Sequence, residues 1–398
     1  MSQVKGEPMN DKFKNIYQQF FNSEKVGGLL LVICTIISLI IANSSSGDEY
    51  INFMHRKIDL SFSSVNLNFT IEHWVNDGFM AIFFLLVGLE IEREIYIGEL
   101  ASFRKALLPI AAAVGGMVVP ALIHYLLNKG SETQPGFAIP MATDIAFALG
   151  ILSLAGSKVP TAVKIFLTAL AIIDDIGAII IIALFYTKTI LFAYLIAALL
   201  IFGGLLVLNR QRVNNLLLYL LPGIVMWYCF LQSGVHATIA GVLLAVAIPF
   251  HKDNDRNLSY QLQEALHKPV AFIIVPLFAL VNTAIKLPEH FFSALSGSNS
   301  IGIITGLLFG KLTGIFLFPY LLIKTRIATG DNITRTHLVG VGLLGGIGFT
   351  MSIFICNLAF TDSDLIATSK LSVLVGSALA ALCGLLVFML GNNKRNVS

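Results

Sequence analysis

Twelve apolar runs, each near the length that crosses a lipid bilayer, constrain this chain more than any other feature. They fall near 26–43, 74–94, 105–127, 137–155, 160–186, 190–208, 215–232, 235–250, 269–286, 301–323, 337–360 and 367–391. A spanning helix needs about 20 mostly apolar residues, because inside lipid every backbone polar group must be bonded internally. Of the 398 residues, 56% are hydrophobic and only 12% are charged. Soluble domains carry about 25% charge. The connections are short, which predicts one all-α integral membrane domain over 26–391 with polar tails at 1–25 and 392–398. The first run lacks an A-x-A cleavage site and reads as a retained span, not a signal peptide. A net charge of +3, with no basic run interleaved with aromatics, argues against a nucleic-acid partner. Cys34, Cys229, Cys356 and Cys383 sit inside apolar runs without a CxxC and read as small buried hydrophobes.

Twelve spans return both termini to one side, and the Lys/Arg distribution selects that side. Eighteen Lys and Arg residues lie in the N-terminal tail, the even-numbered connections and the C-terminus. Six lie opposite: Arg56, Lys57, Lys129, Lys188, Lys286 and Lys370. The termini are therefore expected in the cytoplasm. One external connection, IDLSFSSVNLNFTI, alternates apolar and polar residues. A turn at Ser63-Ser64 pairs Phe62 with Val65 and Leu60 with Leu67, which puts the apolar side chains on one face of a hairpin near 57–71. A lone hairpin is marginal in water. This one is expected to lie on its own protein, on the bilayer, or on a second copy of the chain.

The charges inside the spans carry the chemistry. LTALAIIDDIGAIIIIALFY, residues 167–186, holds Asp174 and Asp175 near its middle. A charge at a membrane helix centre costs about 2.5–3.5 kcal/mol on insertion scales, so intramembrane acids read as functional. Thr168, Ala171, Asp175 and Ala178 share one small and polar stripe, while Asp174 points about 100° away. Lys311, in LLFGKLTGIF, is the one base deep within a span and should pair with Asp144, Asp174 or Asp175. In GFAIPMATDIAFALG, Pro140 breaks the helix ladder just before Thr143 and Asp144. In VGVGLLGGIGFTMSIF, glycines at 340, 342, 345, 346 and 348 weaken span eleven. Spans four and eleven run in opposite directions. Interrupted spans in inverted halves mark a midplane transport site, a rule drawn in part from the family named below. The GxGxxG at Gly340, Gly342 and Gly345 lacks any βαβ setting and is not a dinucleotide site. LVGLEIERE ends span two with Glu90, Arg93 and Glu94, where Glu90 and Arg93 can pair at i, i+3. His236, in SGVHATIAG, reads first as a hydrogen-bonded core histidine.

Taken in order, VGLEIERE, IPMATDIAFALG, ALAIIDDIGAIII, SGVHATIAGV, FGKLTGI and GGIGFTMSIFI resemble the bacterial NhaA-type Na+/H+ antiporters over nearly the whole chain. The resemblance implies twelve helices, with spans 3–5 and 10–12 as inverted repeats and spans 4 and 11 unwound and crossing at the midplane. It implies Asp175 as the main cation ligand, with Asp174 at or beside the site and paired to Lys311. Thr143, Asp144, Gly346 and Gly348 would lie at the crossing. Asp144 would offset the positive half-helix ends, and Lys311 the negative ones. Glu90, Arg93 and Glu94 would line a cytoplasmic entrance and act in pH activation. The family commonly has Glu-His where this chain has Gln263-Glu264, although His267 remains, which leaves the pH of activation open. The hairpin matches the family's homodimer contact. No cofactor is implied; the cargo would be Na+, Li+ and H+, carried across the bacterial inner membrane.

Physical chemistry supports the same reading. Burial disfavours the charged form of a carboxylate and a nearby cation favours it, while Na+, a hard cation, takes oxygen ligands. Protons and a small cation then compete for one set of carboxylates. If the site moves only when loaded, Na+ leaves and protons return. If Asp175 and a group at Asp174/Lys311 both exchange protons, two return per Na+ and net charge moves. At low cytoplasmic pH the site stays protonated and transport stops. A protease dyad is disfavoured, because such acids sit on separate helices and one belongs to a GxGD motif; ATGD at 328–331 departs from it. A cation channel lacks a filter-like repeat here and would be separated by gradient-coupled exchange in liposomes.

Overall fold

The computed structural model describes residues 24–63, 65–156, 159–187, 189–250, 257–326 and 333–390. Both tails, Ser64 and the ATGD stretch at 328–331 lie wholly or largely outside the described residues. Helix α1 (Glu24–Ala42) is followed, across a 119° turn, by the short α2 (Gly47–Met54). A hairpin comes next, with β1 (Lys57–Asp59) antiparallel to β2 (Asn68–Thr70). Ile58 faces Phe69 and Phe62 bridges Val65, the register that the alternation predicts. Helices α3 (Ile71–Tyr96) and α4 (Phe103–Leu127) follow. A 3-10 segment, Gln134–Met141, meets α5 (Ile145–Leu154) at a 42° bend. Helices α6 (Thr161–Phe185), α7 (Phe192–Arg210), α8 (Leu217–Ser233) and α9 (Ile239–Ala247) lead to α10 (Leu258–Asn282) and α11 (Ser298–Lys324). A 44° bend separates α12 (Arg335–Gly345) from α13 (Phe349–Ala359), and α14 (Ser363–Leu390) closes the order.

Among the described residues seven helices are long and apolar enough to cross a membrane, or up to ten if each bent pair counts as one span. Two sequence boundaries shift. The eighth run is helical only over Ile239–Ala247, about 14 Å of rise, short of a hydrocarbon core of about 30 Å. The ninth begins as helix at Leu258, because LSYQLQEALHK is too polar to register as a span yet continues unbroken into the apolar part. One charge also moves. Lys370, assigned above to an external connection, lies within α14 and is 6% exposed.

Small residues decide which helices approach most closely. Gly314 of α11 rests on the Gly115 carbonyl of α4, and Gly310 on Pro120. Such backbone-to-backbone packing replaces the hydrophobic drive that lipid cannot supply. It also places Lys311, one residue beyond Gly310, against Gly116 and toward α6. The helix ladder stops over Ala142–Asp144, just after Pro140, and again over Gly346–Gly348. Gly346 sits directly on the Leu307 carbonyl, where any side chain would collide. A separate apolar core, including Leu89, Tyr219, Phe230 and Ala245, joins α3 to α8 and α9.

Candidate functional site

The two breaks are tied to each other. The Asp144 N–H donates to the Ile347 carbonyl at 2.7 Å. Helices α5 and α13 both begin here, and each N-terminus presents unsatisfied N–H groups with partial positive charge. The Asp144 carboxylate answers both. Its Oδ1 accepts from the Phe147 N–H at 2.9 Å, and its Oδ2 from the Thr350 N–H at 3.1 Å and the Thr350 hydroxyl at 2.5 Å. One buried acid caps two helices.

Thr143, one residue earlier, faces the opposite polarity. Its hydroxyl lies 2.8 Å from the Gly345 carbonyl, at the end of α12, and 2.7 Å from Asp174 Oδ2, with one proton to donate between them. Lys311 Nζ donates to Thr143 Oγ1 at 2.9 Å and to Asp174 Oδ2 at 2.5 Å. Both ion-pair side chains are 0% exposed. Desolvating two charges costs several kcal/mol per ion, so the pair depends on close geometry and on the added threonine bond.

Asp175 is arranged differently, although the Oδ1 atoms of both aspartates have no hydrogen-bond partner among the described residues. Asp175 lines a cavity of about 340 Å³, shared with Thr168 and Ile172 of α6 and with Thr143, Asp144 and Thr350. Positions 168, 172 and 175 run along one helix face, and Asp174 points off it into the lysine pair. Glu90, Arg93 and Glu94 line the same cavity at the end of α3 remote from the hairpin, with Gln263 and His267 from α10. The Arg93 guanidinium stands over the Tyr260 ring at 5.7 Å.

Some expected residues fall elsewhere. Glu264 is exposed, accepts from the Tyr260 hydroxyl at 2.8 Å and does not line the cavity. Gly346 and Gly348 shape the break by packing on Leu307 and Ser352 and contribute no cavity wall. His236 Nε2 lies 2.9 Å from the Tyr186 carbonyl and borders a different cavity, on the hairpin side. Thr350 was missed by sequence reasoning, although a signal exists: it follows the glycine break as Thr143 follows Pro140. Ser259, whose hydroxyl donates to Glu92 Oε2 at 2.7 Å and so joins α10 to α3, carries no such signal.

Residues 18–388 match the protein family described as Na+/H+ antiporter 1. The chain is 55% identical over 380 residues to a Na+/H+ antiporter NhaA of Dechloromonas aromatica, covering 94% of this chain and 96% of the relative. Identity to an antiporter of the same name from Flavobacterium psychrophilum is 53% over 374 residues, covering 94% and 95%. A Na+/H+ antiporter NhaA 1 of Clostridium beijerinckii is 48% identical over 385 residues, covering 96% of each chain.

Proposed function

The chain belongs to the Na+/H+ antiporter 1 family, transporters and not enzymes, and on that premise we propose how it exchanges Na+ for protons. Asp175 is the carboxylate for which Na+ and protons compete, and Asp174 with Lys311 holds the second proton. The observation that carries this reading is the contrast between the neighbours. Each keeps its Oδ1 unbonded among the described residues, but Asp174 is turned away from the cavity and engaged through Oδ2 by Lys311 and Thr143, while Asp175 lines the cavity. Oxygen-rich surroundings suit a hard cation, and Thr143, Thr168 and Thr350 border that cavity.

The cycle extrudes cytoplasmic Na+, and Li+, and returns two protons, so it moves net charge and responds to voltage. Glu90, Arg93, Glu94 and His267, with Glu264 beside them, govern activation by pH. The architecture adopted is twelve spans with inverted repeats, in which the two bent helix pairs cross at the midplane; their bends of 42° and 44° support it. The termini face the cytoplasm across a bacterial inner membrane, as the eighteen-to-six Lys/Arg split suggests. The hairpin joins two copies, consistent with Phe62 remaining 81% exposed in one.

The test is proton movement in everted vesicles on addition of Na+. Asp175→Asn should abolish Na+-dependent dissipation of the proton gradient while the protein stays folded. Persistent exchange would remove Asp175 from its assigned role.

A further inference from the structure

The hairpin-side cavity, about 660 Å³, lies against the same helices as the Asp175 cavity but does not join it. On α3, Asn76 and Asp77 border the first and Leu86 and Glu90 the second. On α10 the corresponding residues are Val281 and Val275, and on α13 they are Asn357 and Met351. Between these levels stand Phe84, Phe278 and Phe354, each at most 1% exposed, with the Phe84 and Phe354 ring centroids 5.7 Å apart. Aromatic side chains therefore form the septum.

Immediately on its hairpin side is a polar node centred on Asn282, which is 1% exposed. Asn282 and Asn76 exchange amide bonds at 2.7 and 3.4 Å. The Asn282 Oδ1 also accepts from Asn357 Nδ2 at 2.7 Å and from the buried Lys370 Nζ at 3.3 Å. Lys370 in turn lies 3.8 Å from Glu72 at the start of α3. Buried amides and an ammonium in a membrane protein are costly unless bonded. Here they bond across elements: α3 and α10 supply Asn76, Glu72 and Asn282, while α13 and α14 supply Asn357 and Lys370. Helix α13 also carries Thr350, which binds Asp144 at the cation site. Parting α13 from α10 at this end must break the node before the septum opens.

We infer that the Asn282–Asn357–Lys370 node is the latch that holds the hairpin-side gate shut, and that it releases once in each exchange cycle. The inference rests on the antiport reading, so its test must separate the two. In a chain with the four native cysteines replaced, Asn282→Cys and Asn357→Cys are combined and the protein is reconstituted in liposomes. Reduced protein should exchange Na+ for protons; failure there, with the native chain also inactive, counts against the antiport reading and not the latch. Oxidation should cut exchange at least about tenfold, and reductant should restore it. A disulfide confirmed by peptide mass with exchange unchanged overturns the latch. A second measurement does not depend on that bond forming. Met351→Cys, below the septum, is labelled with a membrane-impermeant maleimide from the hairpin face, alone and combined with Asn282→Ala or Asn357→Ala. The latch requires labelling to rise at least about tenfold in a folded variant; an unchanged rate in both overturns it.

Discussion

The cavity at Asp175 measures about 340 Å³ and the one beneath the hairpin about 660 Å³, yet the smaller is the better candidate for cation chemistry. Size does not separate them. What separates them is how their polar groups are employed. Under the hairpin, Asn76, Asn282, Asn357 and Lys370 bond one another. His73 Nε2, which has no hydrogen bond there, still lies 3.5 Å from the Asp77 carboxylate, whereas at the smaller cavity Asp175 keeps an oxygen with no hydrogen-bond partner among the described residues. A buried polar atom left unbonded costs about 1–3 kcal/mol, more when charged. A fold sustains that where a cargo or a proton repays it, so the unspent group marks the site better than the larger void.

Substitutions can break this comparison, and the largest effect belongs to Asp175. Asp175→Asn should lower Na+-driven proton exchange by at least about 100-fold, beyond the roughly 10–100-fold typical of losing an outer partner of a metal ligand. Flux measured in proteoliposomes at saturating and subsaturating Na+ checks it. Lys311→Met strands a buried carboxylate and should destabilise the protein by about 3–5 kcal/mol. Adding Asp174→Asn should recover most of that loss, read from thermal unfolding in detergent. Asp144→Asn removes a charge shared by two helix N-termini, each charge–terminus contact worth about 0.3–1 kcal/mol. A loss of about 1–2 kcal/mol is expected from the same assay, with weaker Na+ binding by calorimetry. Glu264→Gln should change stability by less than about 0.5 kcal/mol and leave apparent Na+ affinity intact, since the side chain is exposed and outside the cavity. Glu90→Gln, which does line it, should raise the Na+ needed for half-maximal exchange, less so as ionic strength increases.

Much of the site was legible because its signals are local in sequence. Two acids on an apolar helix, a proline before Thr143-Asp144 and a glycine run can each be read within a dozen residues. The 100° between successive helical residues was enough to assign Asp174 and Asp175 to different surroundings. The hairpin register followed from alternation alone. The hairpin-side node was illegible for the converse reason. Asn76, Asn282, Asn357 and Lys370 each look ordinary where they stand, and only the packing of α3 and α10 against α13 and α14 makes them neighbours. Lys370 in particular reads as a loop cation, because a lysine four residues inside an apolar run is indistinguishable from one at its edge. The start of α10 was hidden differently: an amphipathic helix feeding an apolar one has no hydropathy boundary at its true beginning.

The pairing of Asp174 with Lys311 spans 137 residues of chain, which sets an order of events during synthesis. Translation proceeds at about 5–20 residues per second, so the aspartate is made roughly 7–27 s before its lysine emerges. Helix α6 therefore enters the bilayer without the counter-ion that later balances it. In that interval the acid must travel protonated or remain beside the insertion machinery. The ribosome thus builds the carboxylate half of the site first, and the protein becomes electrically complete only when α11 docks on α4.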